Sequence, residues 1–208
     1  MSNASEYNQA QIDKGKLSIE VITSLVRDFQ KRNGLDDDGK CGPKTLTVIG
    51  AMTSKNPVDR ARSVVGKRII YKLGKGGYHP EDPFPSRSGE ADCSGFVSWC
   101  LGISRHKRFG DGHEWVSTSD IYRDANGVQG LFEKIEVPEP GCLVVYPDSK
   151  VGSRTRQGHV AIVTETKPLR GVDCSMSSYK RYGDAVRERS ITFFLGKRSI
   201  FCRLKEQG

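Results

Sequence analysis

The sequence predicts an α+β protein in two parts, a small all-helical domain over residues 1–55 and a larger mixed domain over 56–208. Three observations carry this expectation. Apolar residues recur at helical spacing between 18 and 49. A polar, proline-ended stretch, Thr53-Ser54-Lys55-Asn56-Pro57, then interrupts the pattern. From Gly127 onward the apolar residues come in short runs suited to strands. Helices first and strands afterwards favour an antiparallel sheet over alternating parallel units.

Taken in order, Ser18 is placed to cap a helix on which Ile19, Ile22, Leu25, Val26 and Phe29 share a face, ending by Gly34. The turn Asp36-Asp37-Asp38-Gly39 follows, and 43–49 reads as a second short helix. In the larger domain, 58–65 reads as a helix, 74–90 as a Gly- and Pro-rich loop, and 93–101 as a helix. Strands are expected at 132–137, 142–146, 159–165, 171–175, 190–194 and 199–204.

Composition narrows the class. Hydrophobic content of 36% and charged content of 28% describe an ordinary folded protein rather than a disordered one. No apolar run approaches the roughly 18 residues needed to cross a bilayer. Met1-Ser2-Asn3-Ala4 reads as an expression-vector remnant, with no secretion segment after it. The net charge of +8 would attract an anionic wall, membrane surface or nucleic acid, but no nucleic-acid motif accompanies it. Its densest cluster, Arg105-His106-Lys107-Arg108, and the smaller Arg154/Arg156 pair read as a solvated basic face. The six cysteines form no C-x-x-C pair and no zinc spacing, so most are expected to be free core thiols, with Cys41 in an exposed turn.

The chemistry-bearing run is Ala91-Asp92-Cys93-Ser94-Gly95-Phe96-Val97. Asp92 is a good N-cap and puts Cys93 at the first helical position, where free N–H groups and the helix dipole favour a thiolate. Cys93, Phe96, Val97 and Cys100 are expected to share one buried face, and Gly95 leaves room for a backbone or a substrate to approach. Of four histidines, His159 differs by opening the apolar strand Val160-Ala161-Ile162-Val163, on a face shared with Ala161 and Val163. A strand-edge imidazole aimed at a helix mouth can serve as general base. Asp173, on the next strand, can orient the imidazole, with Ser175 as fallback. Each residue also has a bland alternative: core packing for Cys93, a cap or core position for His159, a surface strand end for Asp173.

These motifs resemble the NlpC-type cell-wall cysteine peptidases, small papain-like enzymes. Asp92-Cys93-Ser94-Gly95-Phe96-Val97 is similar to the family's nucleophile motif, and Gly158-His159-Val160-Ala161-Ile162-Val163 to its histidine strand. Pro140-Gly141-Cys142-Leu143-Val144 is similar to the strand before it. Over residues 29–45, Phe29-Gln30, Gly34-Leu35, Asp38-Gly39, Gly42 and Thr45 resemble the second half of a peptidoglycan-binding domain. The resemblance implies a papain-like domain whose N-terminal helix carries Cys93, with His159 as base and Asp173 where the family has His, Asn or Gln. It places Tyr71, Ser94 and Asp92 on the substrate and oxyanion side. It implies a monomeric, cofactor-free and metal-free peptidoglycan hydrolase, cutting γ-D-glutamyl–diamino acid bonds in the periplasm or cell wall. An N-acetylmuramoyl-L-alanine amidase, a non-catalytic wall-binding protein and a thiol acyl transferase remain open beside it.

Overall fold

The computed structural model describes residues 12–15, 18–54, 56–109, 112–127 and 130–205. The vector-like Met1 to Ala4 and Lys55 of the expected boundary lie outside the described residues. The chain divides into two compact units, residues 1–50 and 51–208.

In the first unit, α1 (Ile19–Arg32) starts where Ser18 accepts a hydrogen bond from the Val21 N–H, and α2 (Pro43–Thr53) follows the turn. The expected apolar face of α1 does not organise the unit: Ile19 and Leu25 are exposed, and the buried residue of α1 is Gln30. Its amide nitrogen donates to Asp38 Oδ1, Lys40 O and Thr45 Oγ1, and its oxygen accepts from the Gly39 N–H. One buried side chain thus ties the 38–40 turn to both helices. Gly39 is required there, because its φ is 76° and a Cβ would meet Thr23 Cγ2 at 2.7 Å.

The second unit is α+β. After α3 (Pro57–Ser63) a short parallel pair, β1 (Ile70–Tyr71) and β2 (Glu90–Ala91), leads into α4 (Cys93–Cys100) and α5 (Thr118–Ala125). Then come β3 (Phe132–Ile135), β4 (Leu143–Tyr146), the hairpin β5 (Ser149–Val151) and β6 (Arg154–Arg156), β7 (His159–Thr166) and β8 (Leu169–Cys174). The chain ends with α6 (Met176–Tyr182), β9 (Val186–Ser190), a 3-10 turn (Thr192–Phe194) and β10 (Ile200–Leu204). The main sheet has the order β3-β10-β4-β7-β8-β9, and every pair in it is antiparallel.

Both faces of this sheet are covered, which explains why β4 and β7 read as continuous apolar runs rather than alternating ones. Leu143, Val145, Val160 and Ile162 pack with Phe96, Val97 and Trp99 of α4. Val144, Ala161 and Val163 pack with Ile191 and Phe194 on the other side. For the same reason α4 is buried on every side from Cys93 to Cys100, not on one face as its spacing suggested.

Two sequence expectations change. The strand expected at 190–194 is instead β9 at Val186–Ser190, followed by the 3-10 turn. The charged run Arg187-Glu188-Arg189 hides β9, because those side chains are paired rather than solvated: Glu188 with Arg62 and Arg189 with Asp173. The short helices α5 and α6 were not expected. Each is announced only by its serine cap, with Ser117 accepting from the Asp120 N–H and Ser175 from the Ser178 N–H.

Candidate active site

The groove of the second unit is built from two buried carboxylates, each held by an arginine. The first is Asp92, the cap of α4. Its Oδ1 accepts from the Gly95 N–H at 2.8 Å and its Oδ2 from the Gly74 N–H at 2.6 Å. Arg105 closes a fork on it, Nη1 to Oδ1 at 2.7 Å and Nη2 to Oδ2 at 2.8 Å. Nη1 also donates to Lys75 O, and the guanidinium lies over the Trp115 ring. Asp92 is 1% exposed and Arg105 2%. Ser94 is drawn into the same cluster, donating to Asp92 Oδ1 and accepting from Arg105 Nη2. The side chains of Asp92 and Ser94 are thus held by each other and by Arg105, and both residues also line the cavity beside Cys93. Their effect is to fix the turn that presents Cys93. Arg105 also corrects the reading of the 105–108 cluster as a solvated face: His106 and Arg108 are exposed, but Arg105 is core.

Gly95 serves the same cluster. A Cβ there would lie 2.2 Å from Lys75 O, 2.5 Å from Arg105 Nη1 and 2.6 Å from Gly76 O. The close approach foreseen for this glycine is made by the 75–76 backbone.

The second carboxylate is Asp173, and strand register places it. Ala161 of β7 stands opposite Asp173 of β8, so His159, two residues from Ala161 on the same face, is its diagonal neighbour. Asp173 in turn stands opposite Arg187 of β9, so Arg189 is the diagonal neighbour on the far side. A polar row, His159–Asp173–Arg189, thus crosses three strands. His159 Nε2 lies 2.7 Å from Asp173 Oδ2. Arg189 donates from Nε to Oδ1 at 2.9 Å and from Nη2 to Oδ2 at 2.6 Å. Asp173 is fully buried, and although burial alone would raise its pKa, the bonds to His159 and Arg189 hold it below the ordinary carboxylate value. Ser175, the fallback, instead caps α6 and accepts weakly from Arg189.

With Nε2 facing Asp173, the other ring nitrogen is left free of that carboxylate, and Cys93 stands near enough to influence the charge of the imidazole. Burial opposes a charge on His159. The bond to Asp173, with a further contribution from the neighbouring Cys93, outweighs it and pushes the imidazole up to about 9. The ring also stacks on Phe194, at 5.6 Å and 14°. Cys93 itself is 6% exposed at the mouth of α4. Cys100, Cys142, Cys174 and Cys202 are buried thiols pushed up by desolvation, Cys142 to about 11. Cys41 is exposed.

Two cavities of about 240 Å³ each flank this relay and share Tyr71, Gln157 and Gly158, so they form the two halves of one groove. Cys93, Trp115 and Asp148 line one half, His159, Arg189 and Phe193 the other. Burial, then the neighbouring Cys93 and Asp92, raise the Tyr71 phenol well above its ordinary value and keep it a neutral donor. Among the described residues no group of three or more His, Cys, Asp or Glu side chains is arranged to hold a metal. Sequence reasoning missed Arg105, Arg189 and Gln157. The only signal for the two arginines was that each stands in a charged run that reads as surface.

A thiol at a helix N-terminus, an imidazole opening the adjacent strand and a buried carboxylate one strand further, set on this antiparallel sheet, are consistent with a papain-like α+β fold. Comparison with known families narrows it. The family model of the CHAP domain matches residues 84–176, and that of a putative peptidoglycan binding domain matches residues 18–49. No curated protein matches the chain. Residues 84–176 are thus similar to a CHAP domain and residues 18–49 to a peptidoglycan-binding domain. CHAP domains are usually cysteine- and histidine-dependent peptidoglycan hydrolases, amidases or endopeptidases. The match covers Cys93, His159 and Asp173. Tyr71 and Arg189 lie outside it.

Removing Arg105 would leave Asp92 buried and uncompensated, so Arg105→Ala is expected to destabilise the second unit by about 3–5 kcal/mol. Denaturant unfolding of the full chain checks this. A loss below about 1 kcal/mol would mean that the pair does not hold the α4 mouth.

Proposed function

We propose that the protein is a peptidoglycan hydrolase that cleaves stem-peptide amide bonds of the γ-D-glutamyl–diamino acid type. Cys93 is the nucleophile, His159 the acid and base, and Asp173 the orienting group. The observation that carries this reading is the His159–Asp173 pair, 2.7 Å apart, with Cys93 at the mouth of α4 beside the same groove, all within the residues matched by the CHAP model.

The steps follow from what each group can do. The proton that Cys93 gives up is held by His159, so that the reacting state is a thiolate–imidazolium pair whose imidazolium is stabilised by Asp173. The thiolate attacks the amide carbon. The developing oxyanion meets the unpaired N–H groups at the start of α4, with the Tyr71 hydroxyl as a further donor. His159 then protonates the departing nitrogen, leaving a thioester on Cys93. Water, deprotonated by His159, attacks the thioester and releases the acyl-side fragment as a carboxylate.

The first unit would hold the insoluble substrate. Its cleft of about 410 Å³, lined by Leu35, Asp36, Asp38, Lys40, Pro43 and Lys44, lies within the residues matched by the peptidoglycan-binding model. Tethering raises the effective substrate concentration at the groove. The net positive charge favours approach to anionic wall or membrane surfaces, so the setting would be the periplasm or cell wall.

On purified peptidoglycan, Cys93→Ala and His159→Ala are each expected to lower the hydrolysis rate by about 10³-fold or more. The double variant should be little worse than either alone. Mass analysis of the fragments identifies the bond. Products ending at the lactyl group would replace the endopeptidase reading by an amidase of the same mechanism, and substantial turnover in Cys93→Ala would remove the mechanism.

The pH profile follows from the imidazole. His159 is raised, so the charged form that pairs with the thiolate persists to about pH 9 and is lost above it. The alkaline limb of kcat/KM is therefore expected near pH 9. In Asp173→Asn the raising partner is gone while burial still opposes the charge, so the limb should move to lower pH by roughly one to three pH units. An unmoved limb would mean that Asp173 does not set the charge of His159.

A further inference from the structure

Amide hydrolysis fixes which fragment occupies which half of the groove. The acyl carbon must lie against Cys93, and the departing nitrogen against His159, which protonates it. The half beyond His159 therefore holds the amine-side fragment. No carboxylate lines that half among the described residues, and its only charged groups are His159 and Arg189.

Arg189 is only partly used by the protein. Its Nε and Nη2 are committed to Asp173 and Ser175, whereas Nη1 has no partner among the described residues. Its side chain is 37% exposed, and the guanidinium lies 5.0 Å over the Phe193 ring. Nor is its charge cancelled, because one anion, Asp173, is shared between two cations, Arg189 and the His159 imidazolium. Beside it, Met176 and Phe193 present exposed apolar surface, and the Ser175 and Ser177 hydroxyls lie 3.3 Å apart. The surroundings suit a short aliphatic segment that ends in an anion.

We infer that the groove beyond His159 is a carboxylate-binding subsite, in which the outer edge of Arg189 holds a free carboxylate on the amine-side residue of the substrate. Planar guanidinium is well matched to that group. The inference rests on the hydrolase reading, which sets the direction of the groove, and adds a substrate requirement to it: the residue that supplies the amine carries a free carboxyl. A single arginine would then couple two tasks, holding Asp173 against His159 and reading the leaving fragment.

The test is calorimetric binding to full-length Cys93→Ala protein, which removes the nucleophile. The probes are two synthetic D-glutamyl–diamino acid peptides, identical except that the diamino acid ends in a carboxylate or in a carboxamide. The carboxylate peptide is expected to bind about tenfold more tightly or better. With Arg189→Gln added, the ratio should fall to within about twofold. A purely structural role for Arg189 would weaken both peptides alike and leave the ratio unchanged. Should the Gln variant not fold, Arg189→Lys replaces it, and the ratio should drop at least about threefold because the planar fork is lost. Equal binding of the two peptides, binding of neither, or a preference that survives these substitutions would overturn the subsite. Wild-type hydrolysis of purified peptidoglycan, read in parallel, separates the two ideas. Hydrolysis without carboxylate preference removes only the subsite, and carboxylate preference without hydrolysis removes only the hydrolase reading.

Discussion

The polar row of the second unit depends on a single buried carboxylate, Asp173. It has no solvent to stabilise it, so it stays ionised only because His159 and Arg189 both donate to it. Its contact with His159 outweighs the burial that would otherwise keep the imidazole neutral. Strand register explains why the three side chains meet: they are diagonal neighbours on one face of β7, β8 and β9. Phe194 beneath the imidazole and Phe193 beneath the guanidinium close that face.

The nucleophile side repeats the device. Asp92 is also buried, also forked by an arginine, and also fixes one side of the groove, here through the cap of α4 rather than through a ring. Neither pair is argued to add much net stability over an apolar replacement, since burying charges costs about as much as their attraction returns. Their value is positional. Each makes a displaced partner expensive, and so holds Cys93 and His159 in register across a groove whose two halves meet at Tyr71, Gln157 and Gly158.

Much of this was legible in the sequence because it rests on local rules. The capping of α4 by Asp92, the position of Cys93 at the helix start and the face shared by His159 and Ala161 follow from spacing alone. Asp173 could be named from strand adjacency, although not its full burial. The bonds of Asp92 and Ser94 to Arg105 were not legible, because a cap looks the same in sequence whether or not its other lone pairs face a buried cation. Arg105 and Arg189 were invisible for a related reason. Each stands in a charged run, and only long-range pairing, 13 residues away for Arg105 and 16 for Arg189, shows that the run is not solvated. Strand β9 was displaced in the reading by the same charges. In the first unit, the apolar periodicity of α1 was real, but the organising residue was polar Gln30, whose partners at 38–45 no periodicity can reveal.

The site depends on an imidazole, His159, raised well above the ordinary histidine range with the Asp173 carboxylate 2.7 Å away. The most direct measurement is an NMR titration of the full-length protein with labelled histidines, the His159 resonances being assigned by their loss in His159→Gln. The account predicts that the His159 ring loses its proton near pH 9, with Nε2 keeping its hydrogen toward Asp173. A ring that titrates at or below the ordinary value of 6.5 would mean that burial wins over the two partners and would contradict the account.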